Sequence, residues 1–558
     1  MAQEAGVQHP RGALGKGGFE AVRSGNPVAR GHVGPRVRGS ARGERPARRS
    51  LRGPRRQQLP HLVSAHAHPV AAHDRRARVT PVQADNYRIL FVEAPYSYGG
   101  GDLVVGKYFP LGIGYLASYL RSHGAQARIF QAGPGDHDAQ LLSAIREFQP
   151  DMACISVMTP SYPRAAALCR EIKAAHGCVT VLGGHHVSAV GTEVLAQCVH
   201  ADYAVAGEGE NALLALVAAL RNGETDLSHV PGLVWRDADG AARQNPQADL
   251  ITDLDALPFP ARDLVDMSRY RLHSYIDFGK RSATMITSRG CPFKCMFCSS
   301  WLTMGSKYRF RSVENIMQEI RELTGRWGVD HIVFEDDTMT LKRERMLALC
   351  AELERMKNRP TWYCLSRVDS MDLELARAMK RAGCRMVNFG IESGSPEILK
   401  KIGKKISLDK AREAVSACDR AGLRTQCTFI VGFPYDTRET MAMTWEAARV
   451  INPSIAIFFP LTPYPGTRVF NEHLDKSRRP QSVAEWERFL MTANTSGVSV
   501  HSEFSGAQLR AIADQYNRKF FLRPAKALHL MKTAHGIEDI IRLARGAVYL
   551  AHAAVKKQ

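Results

Sequence analysis

The sequence predicts an α/β protein with two successive parallel-sheet units: a doubly wound sheet first, then a partial (β/α)6 barrel, with helices after it. Three observations carry this. Short apolar runs alternate with amphipathic stretches of helical length from residue 87 to about 221, the pattern of βα repeats. Turn-forming residues break that pattern between about 222 and 281. Six further βα repeats follow up to about 465, and an uninterrupted series of that length favours a barrel over another open sheet.

The elements follow in order. The apolar run 87–93 starts the folded part. Helices are expected over 111–123, 138–148, 164–175 and 211–221, and strands over 127–131, 152–157, 179–182 and 201–206. Two of these strands end in glycine-rich segments, Gly183-Gly184-His185-His186 and Gly207-Glu208-Gly209-Glu210. Ligands of doubly wound sheets sit at such carboxyl ends. In the connecting stretch, Leu233-Val234-Trp235 leads into Asp239-Gly240, a hairpin signal, and Leu257-Pro258-Phe259-Pro260 is rich in turns. The second series has strands over 285–287, 331–334, 361–366, 386–391, 425–431 and 454–459. Beyond 465 the strands stop, and 507–558 reads as basic, partly amphipathic helices.

With 45% hydrophobic and 23% charged residues in a chain of 558, a sizeable core is available. No stretch approaches the ~20 consecutive apolar residues of a membrane span, and no charged segment followed by an apolar core opens the chain. The expected compartment is the cytoplasm. The formal charge of +20 resembles a nucleic-acid signal until it is mapped. Residues 1–85 hold 16 Lys and Arg against five Asp and Glu and so supply +11 of it. That segment is rich in Arg, Gly, Pro and Ala and has little apolar periodicity, so a disordered basic extension is expected there rather than a specific nucleic-acid site.

Nine of the twelve cysteines are scattered singly through apolar or helical patterns, the usage of small buried hydrophobes. The other three fall within eight residues, Cys291-Pro292-Phe293-Lys294-Cys295-Met296-Phe297-Cys298, directly after an expected strand. Three thiolates spaced this way wrap one face of an iron–sulfur cube and leave one iron open. The alternatives are a zinc site completed by a distant fourth residue, or coincidence.

This C-x3-C-x2-C motif, with aromatic Phe297 before its last cysteine, resembles the signature of the radical S-adenosylmethionine superfamily. The resemblance implies a partial, TIM-like (β/α)6 barrel over 281–470 and a [4Fe-4S] cluster on Cys291, Cys295 and Cys298. It implies S-adenosylmethionine as cofactor, cleaved to a 5′-deoxyadenosyl radical. Further positions match the family pattern in order, each at a strand's end. Glu335-Asp336-Asp337 resembles the segment that binds the methionyl amino group, and Arg367 suits the methionyl carboxylate. Glu392 in Gly390-Ile391-Glu392-Ser393-Gly394 resembles the carboxylate on the ribose hydroxyls. Gly432 in Ile430-Val431-Gly432-Phe433-Pro434 resembles the adenine-binding strand, where a missing side chain lets the backbone approach the ring.

Residues 86–222 resemble the Rossmann-like cobalamin-binding domain that precedes the barrel in one class of these enzymes. The matching pieces are Pro110 to Ala117, Ser156 through Thr159, Gly183-Gly184-His185, and Gly207-Glu208. The resemblance implies cobalamin contacts at Ser156, Thr159, Gly183, Gly184, His185, Gly207 and Glu208. The Asp-x-His-x-x-Gly motif that places a histidine on cobalt is absent, because Asp136-His137 has the wrong spacing. Residues 223–280 read as a linker and 471–558 as a C-terminal helical region. Within this class the resemblance implies methylation of an unactivated carbon of a small-molecule or lipid-like substrate, by a class B, cobalamin-dependent methyltransferase. The alternatives are cyclisation or rearrangement of the porphyrin-cyclase kind, or a non-catalytic cobalamin or iron–sulfur sensor. The implied partner is a reductant such as flavodoxin or ferredoxin. Membrane association through the C-terminal helices is not favoured.

Overall fold

The first sheet is built from apolar runs buried on both faces, as in a sheet covered by helices on each side. Along its first strand, Leu90 and Val92 enter one apolar cluster while Ile89 and Phe91 enter another across the sheet. The strands are β1 (Arg88–Glu93), β2 (Gln126–Phe130), β3 (Met152–Ser156), β4 (Val179–Gly183), β5 (Tyr203–Val205), β6 (Leu233–Arg236) and β7 (Ala242–Gln244). Their spatial order is 2-1-3-4-5-6-7. The first five pair in parallel, joined through helices that include Leu111–Ser122, His137–Phe148 and Tyr162–Ala175. The hairpin expected inside the linker is present, but β6 pairs antiparallel with β5 and extends the sheet. Part of 223–280 is therefore sheet rather than bare connection, because β5 otherwise leaves an open edge.

The computed structural model describes residues 84–95, 108–131, 136–270, 272, 276–489, 497–523 and 526. All belong to the unit Arg78–Gln558. The basic extension read over 1–85 lies outside these residues apart from Ala84 and Asp85, as do the helices expected beyond 526. Among the described residues no helix is long and apolar enough to cross a membrane.

The second sheet has six strands, β8 (Ser282–Met285), β9 (His331–Phe334), β10 (Thr361–Ser366), β11 (Cys384–Glu392), β12 (Arg424–Val431) and β13 (Ile455–Pro460). Every pair is parallel and the spatial order follows the chain, so β8 and β13 remain edges and the barrel is partial. Side chains alternate along each strand. On β11, Val387, Phe389 and Ile391 face the apolar layer beneath the helices, which leaves Asn388, Gly390 and Glu392 for the concave side.

The last part of the chain differs from a plain helical region. Phe470, Leu474, Trp486 and Phe489 join the apolar cluster of the first sheet with Val157, Tyr162 and Val187, so the chain returns across that sheet after leaving the barrel. One long helix follows, Gly506–Phe521, started by a capping box between Ser505 and Gln508. It lies along the open β13 edge. There the Asn517 amide accepts from Phe458 N–H (2.9 Å) and donates to Phe458 C=O (3.0 Å).

Candidate functional site between two strand-end edges

The cysteine loop leaves β8 through a two-residue antiparallel pairing of Ser288–Arg289 with Arg309–Phe310. Its middle is pinned by Met296, fully buried, whose N–H donates to Ile402 C=O and whose C=O accepts from Val469 N–H, both at 3.0 Å. Phe297 packs on Phe433, with ring centroids 5.7 Å apart. Cys291, Cys295 and Cys298 are half-buried, whereas the other nine cysteines are fully buried. Burial raises all three thiols, Cys298 to about 12, so loading a metal cluster displaces protons. Among the described residues no three His, Cys, Asp or Glu side chains converge as a mononuclear ion requires. The three half-buried thiols share one loop pinned at its middle, a donor set of the kind that binds an iron–sulfur cluster.

At the end of β9, three acids follow the strand's alternation. Glu335 and Asp337 are open to the barrel mouth, and Asp336 between them is completely buried. Asp336, expected on the methionyl amino group, instead accepts from Thr287 N–H, Thr287 Oγ1 (2.7 Å) and the Ser288 hydroxyl. It holds the root of the cysteine loop. Asp337 accepts from Ser300 Oγ at 2.6 Å. Desolvation, with Asp336's charge second, raises the Glu335 carboxyl to about 7.

Arg367 is also committed within the protein. Its guanidinium grips Asp369 bidentately (3.0 and 2.7 Å) and stacks 3.6 Å over the Phe293 ring of the cysteine loop. Glu392 has a left-handed backbone (φ 73°) at a bulge in β11 and pairs with Lys404 Nζ at 2.8 Å. A side chain at Gly390 would strike that pair. Gly432 differs from its expected role. Its missing Cβ would collide with Leu509 of the long C-terminal helix, and its N–H donates to Asp436 at 2.9 Å. The missing side chain thus makes room for Leu509 in this structure.

The opposing edge is formed by the first sheet. Ser156, Gly183, Gly184, His185 and Gly207 are half-buried there, beside Met158, which is 42% exposed. A Cβ on Gly183 would meet nothing nearer than Val205 O at 3.9 Å, so this edge leaves room for a broad flat ligand. Gly184 (φ 102°) serves packing instead, since a Cβ would come within 2.9 Å of Val157 O. Two other expected contacts are buried. Thr159 is buried 3.3 Å from His186 Nδ1, in a wall that includes Tyr162 and Trp486. Glu208 is buried in an ion network with Arg289 (2.9 Å) and Arg309 (2.8 Å) and accepts from Ile251 N–H. A cavity of about 90 Å³ opens at the same edge near Glu93, Phe130 and Tyr270.

The two edges meet. Burial depresses His185, opposed by the charge of Asp337, and helix His185–Val190 packs on helix Trp301–Met304 just after the cysteine loop. Glu208 and Glu210 both hold Arg289, two residues before Cys291. Reading the sequence alone missed Arg289, Arg309, Lys404 and Ser300, because their partners are distant in the chain.

Comparison with known proteins adds to this geometry. Residues 285–448 match the Radical SAM superfamily and residues 101–217 match a B12 binding domain. An uncharacterized methyltransferase, PH0819, of Pyrococcus horikoshii is 32% identical over 76% of this chain and 91% of its own. The anaerobic magnesium-protoporphyrin IX monomethyl ester cyclase of Rubrivivax gelatinosus is 31% identical over 78% of each chain. Among solved structures, the radical S-adenosylmethionine methyltransferase TsrM of Kitasatospora setae, with cobalamin and a [4Fe-4S] cluster bound, superposes with a TM-score of 0.61. That match has 18% identity over 79% of this chain and 90% of TsrM.

Proposed function

Because the chain belongs to the radical S-adenosylmethionine superfamily and carries a B12 binding domain, we propose that it methylates an unactivated carbon of a small-molecule or lipid-like substrate. Its cofactors are a [4Fe-4S] cluster, S-adenosylmethionine and cobalamin. When bound, the cluster and S-adenosylmethionine supply a 5′-deoxyadenosyl radical, and cobalamin supplies a methyl group.

The observation that carries the reading is the meeting of the two edges around one gap, where helix His185–Val190 packs on helix Trp301–Met304 and Glu208 and Glu210 hold Arg289 beside the cysteine loop. A carbon held in that gap is exposed to both chemistries at once, and proximity of this kind is the protein's largest lever on rate. Cys291, Cys295 and Cys298 hold the cluster. Glu335 and Asp337 receive the methionyl ammonium, and Glu392, fixed by Lys404, faces the ribose. Arg367 acts as a positioning residue that clamps Phe293 and leaves the carboxylate to backbone donors. Ser156, Gly183, His185 and Gly207 form the floor for cobalamin. A one-electron donor such as flavodoxin or ferredoxin is the partner this chemistry requires.

Turnover with the true substrate should release 5′-deoxyadenosine and S-adenosylhomocysteine in about equal amounts, with a product heavier by one methyl. A second reading, ring formation, is favoured by the likeness to the Rubrivivax cyclase. 5′-Deoxyadenosine without S-adenosylhomocysteine, and a product that has lost hydrogen or gained a ring, would establish it instead.

A further inference from the structure

The concave face of the barrel carries two polar side chains that none of the roles above uses. Asn388 on β11 and Gln426 on β12 are register partners. They stand on the concave side, since Val387, Phe389 and Cys427 beside them enter the apolar layer under the helices. Each keeps a buried amide oxygen that no donor among the described residues reaches, and Gln426 is only 4% exposed. Buried acceptors are nearly always paired in native proteins. Two unmet ones on the same rung mark a place where a donor arrives from outside the chain.

Their surroundings say what kind of molecule brings it. On the flanking strands the register partners are Leu365 and Ile455, both apolar and half-buried. Beneath lies an apolar plug of Leu272, Ile276, Val333, Tyr363 and Met386. Above, Gly390 pairs with Thr428, and the Glu392–Lys404 pair occupies the space over Gly390, the level assigned to the ribose. The rung is thus deeper in the barrel than the S-adenosylmethionine level.

We infer that Asn388 and Gln426 form the polar subsite for the substrate, which is amphipathic: an apolar body lies against Leu365 and Ile455, and a neutral hydroxyl, amine or amide group donates to the two amide oxygens. The inference deepens the methylation reading and rests on it for the placement of substrate in the barrel. A purely hydrocarbon substrate leaves both oxygens unmet, and an ionised carboxylate brings only acceptors. Each unmet acceptor weakens binding by about ten- to a hundredfold.

The test uses anaerobically reconstituted holoenzyme and two probes of equal size, benzyl alcohol and ethylbenzene, with affinities measured by saturation-transfer NMR. The wild type should prefer benzyl alcohol by about tenfold. Asn388→Leu and Gln426→Met, close in size but without the amide, should each erase or reverse that preference. Should Asn388→Leu fail to fold, Gln426→Met reads the same rung. A wild type without preference, or a preference intact in the folded variants, overturns the inference. The same preparations are assayed for 5′-deoxyadenosine released from S-adenosylmethionine under reduction. Its absence from the wild type sinks the radical reading itself, and its presence with no probe preference sinks only the amide subsite.

Discussion

Cys291, Cys295 and Cys298 differ from their nine counterparts in exposure as well as spacing, and this gives a sharp expectation at the scale of single residues. Alanine at any of the three should abolish bound iron and labile sulfide after anaerobic reconstitution, and alanine at Cys350 or Cys418 should leave both. Full iron content in any of the first three variants would reject the assignment. Glu335 gives a pH expectation. Desolvation in the barrel mouth, where the side chain still meets solvent, and then the charge of Asp336 raise its carboxyl to about 7, so its charged fraction grows from pH 6 to pH 8. Affinity for the S-adenosylmethionine ammonium should therefore rise severalfold, about two- to tenfold, across that interval, a slope that Glu335→Gln should flatten. The same shift makes the folded state hold the extra proton between the ordinary carboxylate range and pH 7, so this group's contribution to stability falls as pH rises through that window. The cysteines were legible because their chemistry is local. The separate fates of Glu335, Asp336 and Asp337 were legible only in principle: alternation at a strand end divides three consecutive acids between two faces, and only the fold says which face is open.

Among the elements, β9 and β10 coincide with the apolar runs that predicted them, but β8 lies three residues earlier than expected. Its pairing with β9 uses Ser282–Met285, while Ile286 leaves the sheet to pack near Tyr115, Leu254 and Leu257. Apolarity reports burial and not what does the burying, so the run 285–287 did not distinguish a strand from a packed loop. Gly432 shows the same limit. Glycine was the correct clue that something approaches the backbone there, yet the visitor is Leu509, about 80 residues further along the chain. Gly432→Ala meets both a positive φ (91°) and that side chain, and should cost about 1–3 kcal/mol in urea unfolding. Combining it with Leu509→Ala should cost less than the sum of the two single changes, since the collision is then gone. Strict additivity would show that Leu509 does not occupy the glycine's space.

On the scale of the whole molecule, both units were legible from their βα periodicity, while their joint was not, because it is made by charges with no period. Glu208 and Glu210 reach Arg289 and Arg309 about 80 to 100 residues away. Glu208→Leu leaves Arg309 with only the carbonyls of Ile251 and Met304 and weakens the hold on Arg289 inside a buried interface, and should destabilise the protein by about 3–5 kcal/mol in chemical unfolding. A loss below 1 kcal/mol would mean that the network is solvated in solution. The return of the C-terminal segment over the first sheet was equally unreadable, since Trp486 and Phe489 advertise burial without naming a partner. One small feature reaches beyond the single chain. A six-stranded barrel keeps a seam, and the β13 edge along it is a template for strand addition by another copy. The Asn517 amide meets both the N–H and the C=O of Phe458, so one rung of that template is already satisfied by a side chain. The long helix thereby covers one point of the seam, and Asn517→Leu would return the N–H and C=O of Phe458 to any strand that approaches it.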